Sequence, residues 1–453
     1  MMTMYYISKY NIYLEEDKNC YIYNTVSGNI LKLSHRLYMY IKQCDDSNIG
    51  IDPIVMTSKI VTLLKDNNII YSTPTEEKSY LEYKYLKDTY DDSFLSLVLL
   101  PTLRCNLRCH YCYEKEKDAI ITDEAIEHLK KFFIKQSKIR RYIAVRWSGG
   151  EIMLCWNIIE KLSKHIISQC KINNCSYVAS AISNGSLLTE KRIDEMLACN
   201  IMSIQITLDG DKMHHDKVRS YKNGIGTYDN IISNIEIASQ KMKVIIRLNL
   251  DKSNFPSIEN LFQDLSTSNI CKQNIQLFCK PVVCTSVRTP KNNIFTQKEF
   301  YNVELSLLSI SQKYEIPYSF HWGVRGRNTR CAYSGIQGFY VAPNMKLYKC
   351  PVYLDHGGKK DYSVGYINPD GEMILSNYTE LVKSFAYSPF DNEECKHCKV
   401  LPICHGKCPI LWENSNQMEE SGCISEKFSI EEKIRYALKS KTQMEAYNKS
   451  GII

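Results

Sequence analysis

Between Phe94 and about Val283, short apolar runs alternate with stretches whose apolar residues recur every three to four positions. The runs 95–101, 142–147, 177–183, 202–209, 244–250 and 275–278 have the length and side-chain character of buried strands. The intervening segments, such as 124–136, 156–169, 190–199 and 228–240, carry helical periodicity. Six successive strand–helix units predict an α/β chain with a parallel, barrel-like sheet. In such sheets the chemistry collects at the C-terminal strand ends, so a motif directly after a strand carries extra weight.

The flanks read differently. Residues 1–90 look like a small unit of their own, with two short strands around Ser27-Gly28-Asn29, helices near 34–43 and 53–66, and a strand at 69–72. Strand pair plus helices suggests a winged-helix-like binding module. The charged stretch 76–92 is a linker or bridging helix. After a helical stretch at 297–313, the chain from Cys331 to Cys423 is rich in Cys, Gly, Pro and Lys and lacks long periodic segments, as suits a small domain organised by metal clusters. A polar helix at 425–447 closes the chain. The expected division is 1–90, 91–315, 316–425 and 426–453.

Composition narrows the classes. With 453 residues, 44% hydrophobic and 24% charged, the chain is an ordinary globular mixture. Its formal charge of +7 is spread along the sequence and does not indicate nucleic-acid binding. No apolar run approaches the ~18 residues of a membrane span, and no export signal is recognisable, so a cytoplasmic protein without membrane contact is expected. Nineteen cysteines then need explaining, because a reducing compartment leaves metal ligation or redox chemistry as their usual use.

Their spacing is the strongest signal. Cys105-Asn-Leu-Arg-Cys109-His-Tyr-Cys112 follows the first barrel strand directly. Three thiolates so close can hold three irons of a cubane cluster and leave the fourth iron open; a zinc knuckle is the alternative. After the second strand comes Trp147-Ser148-Gly149-Gly150-Glu151, where two glycines permit close backbone approach and a carboxylate can receive an ammonium group. Far downstream, Cys395, Cys398, Cys404 and Cys408 form a second constellation flanked by Cys331, Cys350 and Cys423. Two zinc sites or two iron–sulfur clusters would both use such thiolates.

The first loop, with Tyr111 before its last cysteine, resembles the hallmark of the radical S-adenosylmethionine (SAM) enzymes. That resemblance implies a partial (β/α)6 TIM-like barrel in which Cys105, Cys109 and Cys112 hold a [4Fe-4S] cluster. S-adenosylmethionine binds its open iron and is cleaved by one electron to methionine and a 5′-deoxyadenosyl radical. Gly149, Gly150 and Glu151 resemble the loop that holds the methionine amino group. Ser183-Asn184-Gly185 and Thr207-Leu-Asp209-Gly210 look like cofactor-contacting turns, and His215-Asp-Lys-Val-Arg219 resembles a stretch of the peptide-modifying branch. The bland reading of these segments is helix capping and turn formation.

The downstream cysteines resemble a SPASM domain, which carries two auxiliary [4Fe-4S] clusters and brings the total to three. By that likeness Cys395, Cys398, Cys404 and Cys423 hold the distal cluster, and Cys331, Cys350 and Cys408 the nearer one. No cysteine lies between Cys331 and Cys350, so the nearer cluster is one ligand short unless Cys279, Cys284 or another group supplies it. Met345 stands where the family usually has glycine. Pro351 stands where sulfatase-maturing relatives carry an aspartate base, which disfavours formylglycine formation. The stretch 321–330, basic and aromatic, precedes Cys331.

The N-terminal pattern Tyr21-Ile-Tyr-Asn24-Thr25-Val-Ser-Gly28 resembles leader-recognition domains. The resemblance as a whole implies maturation of a ribosomally made precursor peptide, with a flavodoxin- or ferredoxin-type electron donor. The expected product is an intramolecular Cys thioether crosslink. Carbon–carbon or carbon–oxygen cyclisation and a zinc-binding module without catalysis are the rival readings. No side chain is named as an acid–base catalyst.

Overall fold

The computed structural model describes residues 4–109, 112, 118–282, 293–318, 331, 334–354, 361–385, 388–408 and 422–439. Its centre is a parallel sheet whose strands alternate with helices: β6 (Phe94–Thr102), β7 (Tyr142–Gly149), β8 (Ser176–Ser183), β9 (Ile201–Leu208), β10 (Lys243–Leu250) and β11 (Ile275–Pro281). The connecting helices are α4 (Asp123–Ile139), α5 (Trp156–Ile172), α6 (Glu190–Ala198), α7 (Lys212–Val218), α8 (Tyr228–Lys241) and α9 (Ile258–Thr267), followed by α10 (Gln297–Tyr314). The strands pair in chain order, and among the described residues β6 and β11 do not meet, so the barrel is partial.

Strand alternation sorts the side chains. Leu95, Leu97 and Leu99, Ile143, Val145 and Trp147, and Val244, Ile246 and Leu248 are buried in one core with Phe132, Phe133, Ile159 and Leu162 of the covering helices. Burying each such side chain stabilises the fold by about 1.5–3 kcal/mol. The opposite, concave face mixes polar side chains with apolar ones such as Val98, Leu100 and Phe278. On it Arg146 donates from Nε to Ser180 Oγ at 3.3 Å, and Arg247 to Asn249 Oδ1 at 2.8 Å.

The sheet does not stop at β6. β12 (Gly338–Val341) joins it in parallel, with Gly338 opposite Ser96 and Val341 opposite Leu99. β13 (Lys346–Tyr348), β14 (Gly365–Ile367) and β15 (Met373–Leu375) continue antiparallel to ten strands, before α11 (Tyr378–Phe385). The cysteine-rich region thus extends the barrel sheet, where the sequence suggested a domain with little regular structure.

The N-terminal unit holds β1 (Tyr6–Ile7), β2 (Asn11–Glu16), β3 (Asn19–Asn24), β4 (Asn29–Leu33) and β5 (Ile70–Tyr71), with α1 (His35–Asp46), α2 (Ser58–Asp66) and α3 (Glu76–Thr89). β2, β3 and β4 make an antiparallel sheet, one strand more than the sequence pattern suggested, and β1 pairs with β5. The helix Glu426–Lys439 ties this unit to the barrel. Its buried Lys433 bonds Glu304 of α10 at 3.0 Å and Glu426 at 2.9 Å, while Arg435 donates to the Glu15 carbonyl of β2 at 2.7 Å.

Candidate active site

Cys105 sits just beyond β6, and the loops after β7, β8 and β9 converge on it. The Leu107 N–H donates to Cys105 Sγ at 3.4 Å, and Asn184 Nδ2 lies 3.8 Å from the same sulfur. Asn184 also donates to Asn106 Oδ1 at 2.8 Å, and Asn106 donates to Ser186 Oγ at 2.9 Å. Burial pushes the Cys105 thiol up to about 11. A metal bound at such a sulfur would deprotonate the thiol outright and remove the penalty. The Cys112 N–H donates to the Cys109 carbonyl at 3.2 Å, closing a turn between the second and third cysteines. The loop is further fixed by Arg108 N–H to the Ser220 carbonyl at 3.2 Å.

The two glycines serve a different neighbour from the one their sequence suggests. A Cβ on Gly149 would lie 2.2 Å from the Thr102 carbonyl oxygen, and one on Gly150 2.1 Å from that of Arg104. The close approach is therefore to the backbone of the cysteine loop, and the Gly150 and Glu151 N–H groups bond those two carbonyls at 2.9 and 2.7 Å. Gly149 and Gly150 thus cradle the backbone that leads into Cys105.

Glu151 also differs from expectation. It has no exposed surface, and its carboxylate accepts from Met153 N–H at 3.0 Å, Ser183 Oγ at 2.9 Å and Asn184 N–H at 2.8 Å. Burial raises its pKa against these donors. In this structure it locks the ends of β7 and β8 together; its carboxylate does not face open space. Ser183 and Asn184 belong to the same buried net. Thr207 is buried at the end of β9. Arg219 pairs with buried Asp209 at 3.5 Å and lies within electrostatic reach of Cys105 and Glu151. Tyr111 lies outside the described residues.

The structure sorts the downstream cysteines into two groups. Cys395, Cys398, Cys404 and Cys423 line one cavity, together with Leu401, Lys407 and Lys427. Cys331, Cys350 and Cys408 form the other, with Cys350 feeling both partners electrostatically. Burial pushes Cys350 up to about 12 and Cys423 up to about 11. As at Cys105, sulfur atoms of Cys350 and Cys398 accept an N–H two residues on, from Val352 and Val400. Such donors favour thiolates. Other thiols donate: Cys155 and Cys175 to the carbonyls of Ile152 and Ser176, and Cys404, in the cavity, to that of Gly406 at 3.1 Å.

All eighteen described cysteines are free thiols, and among the described residues no three His, Cys, Asp or Glu side chains converge on a single-ion position. Four thiols around one cavity are a donor set for either a zinc ion or an iron–sulfur cluster. Cys279 bonds Tyr318 Oη at 2.8 Å, and its electrostatic neighbours are Glu304, Lys280 and Lys433. It is thus engaged away from the Cys331 group. Cys284 and the stretch 321–330 lie outside the described residues.

Sequence reasoning missed two participants. Buried Lys349 donates to the Gly338 carbonyl at 2.8 Å and also to that of Gly335, fixing the segment between Cys331 and Cys350. Tyr340, on the concave face, lies within electrostatic reach of Cys350, Cys331, Arg146 and Arg247. It marks where the barrel interior meets the three-cysteine group. Only the adjacency of Lys349 to Cys350 could have flagged either.

Residues 99–265, from β6 into α9, match the family model described as the radical SAM superfamily. The chain thus carries, over less than half its length, a region similar to the radical SAM enzymes. Among curated relatives, the radical SAM cyclopropyl synthase TigE of Paramaledivibacter caminithermalis is 21% identical over 437 residues, covering 89% of each chain. A cysteine-type anaerobic sulfatase-maturating enzyme of Clostridium novyi is 23% identical over 344 residues, 69% of this chain and 87% of the relative. In fold, the chain resembles anSMEcpe with bound AdoMet and Cp18Cys peptide, at a TM-score of 0.58 and 19% identity, over 79% of this chain and all of that one. It also resembles Streptococcus suis SuiB, at 0.51 and 14%, over 92% and 97% of the two chains. Relatives and fold together support reading this chain as an enzyme of the radical SAM kind. That likeness implies S-adenosylmethionine and a [4Fe-4S] cluster, and the half-buried, donor-supported Cys105 sulfur fits such a cluster.

Proposed function

We propose that this chain is a radical SAM enzyme that matures a ribosomally made precursor peptide by removing hydrogen from an unactivated carbon and closing an intramolecular crosslink, most simply a thioether from a substrate cysteine. The observation that carries this reading is the separation of the downstream cysteines into a four-thiol cavity and a three-thiol group bordering the barrel interior at Tyr340. We assign Cys105, Cys109 and Cys112 to the radical-generating cluster, Cys395, Cys398, Cys404 and Cys423 to a distal auxiliary cluster, and Cys331, Cys350 and Cys408 to a nearer one. When bound, the clusters and S-adenosylmethionine supply the radical and accept the electron released on crosslinking.

The chain's own residues position and enclose. Arg219 provides a cation beside the Cys105 loop for the cofactor carboxylate, and the Glu151 net fixes the loops around it. A three-ligand group has room for a substrate thiolate, which a metal would hold deprotonated. The leader is assigned to the edge of the three-stranded N-terminal sheet as an added strand. Arg435 already bonds the Glu15 carbonyl of β2, which makes β4 the edge we assign. We place the enzyme in the cytoplasm with a flavodoxin- or ferredoxin-type donor; no described helix is long and apolar enough to cross a membrane.

Two alternatives have specific support. The cyclopropyl synthase relative favours carbon–carbon bond formation. The sulfatase-maturating relative points to formylglycine formation, against which stands Pro351, a residue unable to take a proton. The test is anaerobic reconstitution followed by reaction with a candidate precursor. About twelve irons per chain, as three [4Fe-4S] clusters require, and loss of two hydrogen atoms per crosslink only in Cys-bearing peptides are expected. Two hydrogens lost from a Cys-free peptide would transfer the case to cyclisation of another kind. Cys109→Ala should abolish 5′-deoxyadenosine formation; persistent formation would defeat the assignment of the radical site.

A further inference from the structure

One face of the N-terminal unit has no part in the reading so far, yet it meets the four-cysteine cavity. Tyr10, Val26 and Leu81 are buried in a single apolar cluster with Cys395 and Leu401, and Phe390 and Cys398 pack against it. Cys395, Cys398 and Leu401 also line the cavity. One layer of side chains thus has the N-terminal unit on one side and the cavity on the other.

Polar ties hold the two parts in register, all on the short peptide that follows Cys395. Thr25 Oγ1 donates to the Lys399 carbonyl at 2.7 Å, Lys9 Nζ to the Lys396 carbonyl at 3.1 Å, and Lys399 Nζ to the Asn11 carbonyl at 3.4 Å. From α3, Tyr85 stacks on His405, the residue after Cys404, with ring centroids 6.4 Å apart, and meets Phe390 edge-on at 5.8 Å. Burial raises the Tyr10 phenol, with Glu77 and Cys398 adding to the effect, as a dry contact requires.

Reduction of an iron–sulfur cluster adds negative charge, which a dry apolar wall disfavours and water favours; solvent exposure is one of the main determinants of cluster potential. We propose that Tyr10, Val26 and Leu81 form the outer wall of the four-cysteine cavity, so that the N-terminal unit holds the potential of the cluster bound there low. This rests on reading the cavity as a cluster site.

The test is an EPR-monitored redox titration of the full, anaerobically reconstituted chain, with the cavity's signal identified as the one lost in Cys404→Ala. Val26→Ser and Leu81→Ala, on separate elements, should each move that midpoint to more positive potential while iron content and the other signals stay at wild-type values. Thr25→Val, which keeps the apolar wall, should move it less than either. Unchanged midpoints in both wall variants with iron retained would overturn the inference. Should wild-type protein carry no signal or iron that Cys404→Ala removes, the cluster reading fails first and takes the inference with it.

Discussion

Met345 shows a side chain and its backbone in conflict. It closes the turn between β12 and β13 at φ 66°, a left-handed conformation that disfavours any residue with a Cβ by roughly 1–2 kcal/mol. Its side chain, only 6% exposed, packs beside Leu99, Trp147 and Val341. Truncating a buried methionine costs about 2–5 kcal/mol, which exceeds the strain. Met345→Gly, the family's usual residue, should therefore destabilise the apo chain by about 1–3 kcal/mol in denaturant unfolding, and a stabilised variant would show that strain outweighs packing. The sequence revealed the departure from glycine at this position; it did not reveal the packing, because the contacts come from strands far away in the chain.

His215 is another residue whose meaning emerged only in three dimensions. Its Nδ1 accepts the Asp209 N–H at 3.3 Å, which leaves the proton on Nε2 to donate to Thr227 Oγ1 at 3.1 Å. Burial, assisted by Arg219, lowers its pKa to about 3, so the folded protein keeps it neutral where the unfolded chain, near 6.5, takes up a proton. Its contribution is fully present above pH 6.5 and diminishes as pH falls towards 3, by up to ~1.4 kcal/mol per unit. Unfolding midpoints should drop between pH 7 and 5, and His215→Gln should flatten that slope.

At the level of elements, the helix Glu426–Lys439 is anchored by the buried cation Lys433, with Lys280 also in electrostatic reach of the two carboxylates it pairs with. Lys433 lies between Glu304 and Glu426, all three nearly inaccessible to solvent. Lys433→Met leaves two carboxylates buried without it, a change of the kind that costs about 3–5 kcal/mol. The variant should unfold at markedly lower temperature by circular dichroism, and restoring wild-type stability with the triple change Lys433→Met, Glu304→Leu and Glu426→Leu would confirm the cause.

Element legibility followed length. The six barrel strands were readable because each is a run of seven to nine residues with one face in the core. β12 to β15 have three or four residues, too short for a period to register. β2 escaped notice because its hairpin to β3 turns through Asp17 and Lys18, both at positive φ, where Asn-Gly would have announced the turn. α7 and α9 were also absent from the sequence-based assignments, α7 being only seven residues long.

For the whole molecule, the spacing of the cysteines was the most legible feature, since it is read without any knowledge of the fold. The roles of Gly149, Gly150 and Glu151 were not, because the neighbours they touch are backbone atoms of another loop. Nor did any local pattern disclose that the N-terminal unit rests on the four-cysteine cavity, a contact between residues nearly four hundred positions apart.

The pairing of β6 with β12 has a consequence for biosynthesis. Ser96 and Gly338 are neighbours in the sheet but about 240 residues apart in the chain. At ribosomal rates of ~5–20 residues per second, β6 emerges roughly 12–50 s before its partner exists. Throughout that interval one edge of the strand leading into Cys105 lacks its ladder, a condition that invites pairing with other nascent chains. The cysteine loop is thus synthesised early onto a sheet completed late, and expression conditions that slow translation or limit chaperone supply should act on this edge first.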